Sequence, residues 1–154
     1  MSKERSITVS VDIPTPPERV WDLASDVTRY SDWVENTLEV YFDGTVQMGT
    51  TYEERTRIAG PWKARTRWRV TEFERPRRQV HEGEGVVAAT GMAVIIDLTP
   101  DGQGTHMALT VRYTPRFGPV GAVIDRAIAG EMTRAQQRSV EAFAVLVAGE
   151  SATP

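Results

Sequence analysis

Apolar and polar positions alternate from the start of the chain. Ile7, Val9, Val11 and Ile13 are separated by Thr8, Ser10 and Asp12, the period of a half-buried strand, and Pro14 ends it. The period then changes. In TPPERVWDLASDV, Val20, Trp21, Ala24 and Val27 form an apolar side, so the spacing predicts a short helix from about Pro16 to Ser25. Thr15 and Glu18 are spaced as a capping box, with Pro16 and Pro17 in the tolerant first turn. A second helical turn over Thr28 to Trp33 brings Tyr30 and Trp33 beside Trp21. From Leu38 onward the helical period is gone. Strands are predicted at Leu38–Phe42, Gly49–Ile58, Trp62–Phe73, Gln79–Glu84, Met92–Leu98 and His106–Tyr113, with turns at Asp43-Gly44, Gly60-Pro61 and Asp101-Gly102. The helical period returns once, from Pro119 to about Ala148. There Ile124, Ile128, Met132, Ala135, Ala142, Phe143 and Leu146 fall on one stripe with Ser139 among them, and Gly149 is placed as a C-cap. At ~1.5 Å per residue this helix is about 45 Å long, enough to cross a small domain.

Strand, two short helices, about six further antiparallel strands and one long helix make an α+β layout with the helices on one side of a meandering sheet. A twisted sheet of about six to seven strands that curls around a single helix leaves either a large core or a cavity. The 154 residues are expected to form one domain over 1–150, with 151–154 a disordered tail. Hydrophobic content of 40% and charged content of 25% fit a soluble globular protein. A net charge of -3 argues against nucleic acid or an anionic membrane as the main partner. The absence of cysteine excludes disulfides, thiol catalysis and cysteine-ligated metals. The start of the chain lacks the apolar core of a signal peptide, and no stretch approaches the ~18 apolar residues of a membrane span, so a cytoplasmic location is expected. Oligomeric state is left open.

The strands Gly49–Ile58 and Trp62–Phe73 alternate most cleanly. One face carries Tyr52, Glu54, Thr56 and Ile58 with Trp62, Ala64, Thr66, Trp68 and Val70. The other carries Glu53, Arg55 and Arg57 with Lys63, Arg65, Arg67 and Arg69. The basic row reads as a solvated outer face cross-paired with Glu53 and with Glu72 or Glu74, and it lacks the interleaved aromatics of a nucleic-acid surface. If the first face points to the helix, Glu54 points inward too. Buried and unpartnered, it would have a raised pKa and suit general acid or base work; satisfied by Thr66 or an arginine, it would be structural. Gln79 and His81 share a face of their strand, and either point into the interior, to bind a carbonyl or hydroxyl or shuttle a proton, or face solvent. His106, beside a turn, is expected to be exposed. Two histidines without HxH, HExxH or a cysteine pair make no metal site, and no P-loop, GxGxxG or GxSxG occurs, so no cofactor is implied.

DIPTPPERVWDLASDVTRYSDWV resembles the opening of the START-like helix-grip (SRPBCC) superfamily, which includes birch-pollen-allergen-type and bacterial polyketide cyclase/dehydrase-like proteins. GTTYEERTRIAGPWKARTRWRVTEFERPRRQV is similar to its central hairpin, and LTPDGQGTHMALTVRYTPRFGPVGAVIDRAI to its last strand and grip helix; Arg116-Phe117-Gly118-Pro119 resembles the entry loop. Glu35, after Trp33-Val34, departs from the proline many members carry. Gln79 and His81 stand where the family usually has apolar residues. The resemblance implies a curved sheet gripping the C-terminal helix around a cavity for a lipid-, quinone- or polyketide-like molecule. Met92, Val94, Ile96, Met107, Leu109 and Val111 would wall it, together with Trp62, Trp68, Ile128, Met132 and Phe143. Tyr52, Gln79 and Tyr113 would contact the ligand. The expectation is a binding protein for a small hydrophobic molecule. The alternative is an aromatase/cyclase in which Glu54 or His81 removes a proton alpha to a carbonyl while Tyr52, Tyr113 or Gln79 holds the enolate oxygen. A protein-interaction module built on the arginine-rich face is the third reading.

Overall fold

The computed structural model describes residues 4–84, 89–115 and 121–152. Arg116 to Pro119 and the side chains of Ile58 and Ile124 lie outside them. The chain folds as β1 (Arg5–Ile13), α1 (Pro17–Ala24), a 3-10 turn (Val27–Arg29), α2 (Tyr30–Trp33), β2 (Thr37–Tyr41), β3 (Thr51–Ala59), β4 (Trp62–Glu74), β5 (Arg78–Glu84), β6 (Ala89–Asp101), β7 (Gly104–Pro115) and α3 (Gly121–Ala152). The seven strands form one antiparallel sheet in the order β1-β7-β6-β5-β4-β3-β2. β2 to β7 is thus a meander, and β1 returns to the edge beside β7, where α3 packs against it. This is the helix-grip α+β fold.

The local signals account for most boundaries. Gly60 (φ 52°) and Gly102 (φ 61°) take the left-handed conformation that the β3–β4 and β6–β7 turns require and that other residues rarely adopt. Pro14 ends β1, and the prolines start α1 without losing a needed donor. No side-chain capping bond forms there, so the predicted capping box is absent: Pro16 is the N-cap residue and the neighbouring Thr15 is buried. Gly104 is small for a different reason. A Cβ placed on it would lie 2.6 Å from the Ile13 carbonyl oxygen, so the close approach of β7 to the end of β1 needs a bare backbone.

The core lies on the concave face under α1, α2 and the second half of α3. Trp21 packs on Phe73 (ring centroids 5.0 Å), and Trp33 lies between Tyr30 (5.4 Å) and Phe143 (4.7 Å). The buried stripe of α3 is Ala135, Ser139, Val140, Phe143 and Val147. Ala142, expected on it, is exposed, and the helix runs through Gly149 rather than ending there. Ile128 is 40% exposed and Arg126–Arg134 contains no fully buried side chain, so this stretch of α3 meets the sheet only lightly, with Met132 packed against it. Glu35 explains how its second half is held. The Glu35 N–H donates to Ser139 Oγ (2.8 Å), and its carboxylate accepts from Arg138 Nε (2.8 Å). A proline at this position would have no N–H to give.

Candidate functional site

Sheet register builds the site rung by rung on the concave face. Tyr52 is paired with Trp68, Trp68 with Gly83, and Gly83 with Met92. One rung along, Val70 faces His81, His81 faces Val94 and Val94 faces Val111. The next rung aligns Phe73, Gln79, Ile96 and Leu109, and Leu98 faces Met107 beyond it. A register shift between Val70 and Glu72 turns Phe73 inward in place of Glu72, so strict alternation does not carry through β4. Trp68, Ile96, Met107, Leu109, Val111 and Phe143 are buried; Met92, Val94 and Met132 are partly buried.

A chain of polar groups crosses this apolar face. Gln79 Nε2 donates to Ser25 Oγ (3.1 Å), which leaves its carbonyl oxygen to accept from His81 Nε2 (2.7 Å). With Nε2 carrying the proton, His81 Nδ1 is an acceptor, and the Tyr52 hydroxyl donates to it at 2.6 Å. Gln79, His81 and Tyr52 are respectively 0%, 1% and 4% exposed, so these bonds replace hydration that burial has removed. Burial pushes His81 down to about 4, which keeps it neutral at physiological pH. Burial likewise pushes Tyr52 and Tyr30 well above the usual phenol range, with the Glu54 carboxyl nearby adding to both. The Tyr30 hydroxyl donates to the Ala24 carbonyl at 3.3 Å and its ring lies 6.4 Å from Tyr52.

Glu54 faces the same interior from β3. Thr56 and Thr37 hydroxyls donate to its Oε1 at 2.8 and 3.2 Å. Among the described residues neither Thr66 nor an arginine satisfies it. Burial raises its pKa, and the two hydroxyls only partly offset that rise. The site therefore pairs a neutral histidine with a carboxyl whose proton is held more tightly than usual.

Two predicted lining residues stand elsewhere. Trp62 is 72% exposed: it pairs with Ala59 after a register shift at the tip of the β3–β4 hairpin, past the end of the core, so its parity no longer implies burial. Ile128 is on the open part of α3. Tyr113 is buried on β7, beside Val111 and Met132. His106 is half-exposed, with Asp12 at 2.7 Å. On the convex face Arg65 meets Glu53 (3.3 Å) and Arg55 meets Glu39 (3.5 Å), whereas Glu72 and Glu74 pair with Arg78 and Arg77 instead of the basic row. Ser25 and Thr37, which complete the polar chain and the Glu54 shell, come from the C-cap of α1 and the first residue of β2, one position before the predicted strand; only knowledge of how α1 and β2 lie against the sheet would have singled them out. Among the described residues no group of three or more His, Cys, Asp or Glu is placed to hold a metal ion. Among the described residues no helix is long and apolar enough to cross a membrane.

This chain belongs to the family described as polyketide cyclase/dehydrase and lipid transport, which it matches over residues 4–148. Among curated relatives, Toxin Rv0910 of Mycobacterium tuberculosis is 26% identical over 139 residues, covering 88% of this chain and 95% of that protein. Among solved structures, the Zhui aromatase/cyclase from Streptomyces sp. R1128 superposes with a TM-score of 0.80 at 17% identity, covering 98% of both chains. A norcoclaurine synthase point mutant from Thalictrum flavum superposes with 0.74 at 11% identity, covering 99% of both. Both structures are similar in fold.

Proposed function

We propose that this protein binds a small hydrophobic molecule, lipid-, quinone- or polyketide-like, between the concave sheet face and α3. The observation that carries this reading is the polar chain Ser25–Gln79–His81–Tyr52, with Glu54 beside it, set in an otherwise apolar interior. Buried polar groups cost stability unless they are satisfied, and an apolar pair at positions 79 and 81 would fill the same space without that cost. Few, placed polar groups among apolar walls are what orients a ligand in a concave site. Native mass spectrometry of the purified protein, followed by solvent extraction, tests it. A discrete apolar molecule released on extraction supports the reading. No bound molecule, and no thermal shift across a panel of naphthoquinones, fatty acids and aryl ketones, would sink it.

A second reading, an aromatase/cyclase-type enzyme, is favoured by the convergence of Tyr52, His81 and Glu54. Here Glu54 is the base for a proton alpha to a carbonyl, since burial raises its pKa and makes it a stronger base than a solvated carboxylate. His81 has both ring nitrogens engaged and acts through Tyr52. For Tyr52 to donate to an enolate oxygen, the imidazole must hold its proton on Nδ1 and accept from a turned Gln79 amide. Turnover of a poly-β-keto model compound that is lost in Glu54→Gln and weakened in His81→Ala favours the enzyme. Binding without turnover in the parent protein favours the carrier.

A further inference from the structure

Trp68 carries a buried indole Nε1–H with no hydrogen-bond partner among the described residues, although the side chain is only 7% exposed. A buried donor left unmade is costly, and native interiors rarely keep one without a use. The ring is held in place. Gly83 lies under it, and a Cβ there would come 2.9 Å from the indole, so the bare glycine backbone lets the ring lie flat on β5. Its neighbours across the strands are Tyr52 on one side and Gly83 on the other, with Glu54 on the diagonal of β3. Trp33 also has an unpartnered Nε1, but its ring is packed between the Tyr30 and Phe143 rings.

Resting on the interior-binding reading above, we propose that Trp68 Nε1–H is the donor that fixes the polar end of the bound molecule, a neutral acceptor oxygen of ketone or quinone type. An indole can only donate, so an ammonium or other donor group gains nothing from it. A carboxylate ligand is disfavoured by the Glu54 carboxyl one diagonal away, a separation of about 7–8 Å between such residues. A ring system bearing a carbonyl satisfies both conditions, the ring filling apolar space and the oxygen meeting the indole.

A matched pair of probes tests this: 1-tetralone, which has the carbonyl, and tetralin, which lacks it. Dissociation constants are measured for the parent protein and for Trp68→Phe, which keeps an aromatic ring and removes the donor. We expect tetralone to bind the parent about tenfold tighter than tetralin, and that gap to close in Trp68→Phe while tetralin affinity holds. In the parent protein labelled with 15N-tryptophan, the Trp68 indole proton moves downfield with tetralone and stays with tetralin, and Trp33 gives the internal control. That spectrum needs no variant to fold. If both probes bind equally, or the gap survives in Trp68→Phe, the donor role is wrong and the interior site stands. If neither probe binds the parent, the interior site falls and the donor role with it.

Discussion

Two buried titratable residues on one concave face oppose each other in their effect on stability. His81 in the folded chain is pushed down to about 4, below its ordinary value of 6.5, so the unfolded chain takes up a proton first. Its contribution is complete above about pH 6.5 and is lost as pH falls toward 4, an effect of about 3 kcal/mol at most. Glu54 has the reverse sign: its pKa is raised above 4.5, so the stability tied to its protonated form is full below that value and lost as pH rises through its folded pKa. Urea midpoints measured from pH 4 to 9 should show His81→Gln with a flatter acid limb than the parent. Glu54→Gln should gain on the parent steadily as pH rises above 4.5; a constant offset at every pH would show that its ionisation has no part in stability. Strand parity placed Glu54 on the face of Tyr52, Trp68 and Val70, but it left Gln79 and His81 open between the interior and solvent. What parity could not supply was their satisfaction, because Ser25 and Thr37 arrive from other elements, and a hydroxyl at the end of a helix or strand carries no periodic signal.

Elements show where periodicity is a guide and where it stops. The β3–β4 hairpin was legible over Thr51–Arg57 and Lys63–Val70, including its basic outer face, because each rung there repeats the same alternation. Trp62 broke the pattern by position: at the tip there is no core left to face. Trp62→Ala should therefore change stability by no more than about 0.5 kcal/mol and leave probe binding unaltered, whereas Phe143→Ala, at 0% exposure, should cost about 3–5 kcal/mol. The long helix was also legible: of the stripe Ile124, Ile128, Met132, Ala135, Ser139, Ala142, Phe143 and Leu146, Ala135, Ser139 and Phe143 are buried, Met132 and Leu146 partly so, and Ile128 and Ala142 exposed, while Val140 and Val147 are buried beside it. A helix wheel gives a face, not which part of its length meets the sheet. Contact is set in part by the turn after α2, where the Glu35 N–H meets Ser139 Oγ. Ser139→Ala removes the acceptor and should cost about 1 kcal/mol by denaturant titration, while Glu35→Ala keeps the N–H and loses only a half-exposed ion pair, worth under about 1 kcal/mol. Equal losses in the two would mean the backbone bond contributes nothing beyond the pair.

For the whole molecule, the consequence is an uneven grip. From Ala135 to Val147 α3 is bound by buried apolar contacts, by the Glu35 bonds and by Arg29 reaching Glu150 (3.1 Å). From Arg126 to Arg134 it has surface ion pairs among its own residues, such as Arg134 with Glu131 (3.0 Å), and little buried area. Local opening free energies follow buried contact, so amide exchange should divide the helix. Amides of Ala135–Val147 should exchange with β6 and β7, near the global unfolding limit, and those of Arg126–Arg134 well before them. The chain's own topology makes Arg126–Arg134 a part able to yield: Met132 touches the Val111–Tyr113 end of the sheet, and any molecule lodged on the concave face beside Val111 lies next to it. A bound probe should then slow exchange chiefly in Arg126–Arg134, with little change in a second half already at the limit. Protection gained uniformly along α3 would mean that binding stabilises the fold as a whole and that this segment has no special part in enclosing the ligand.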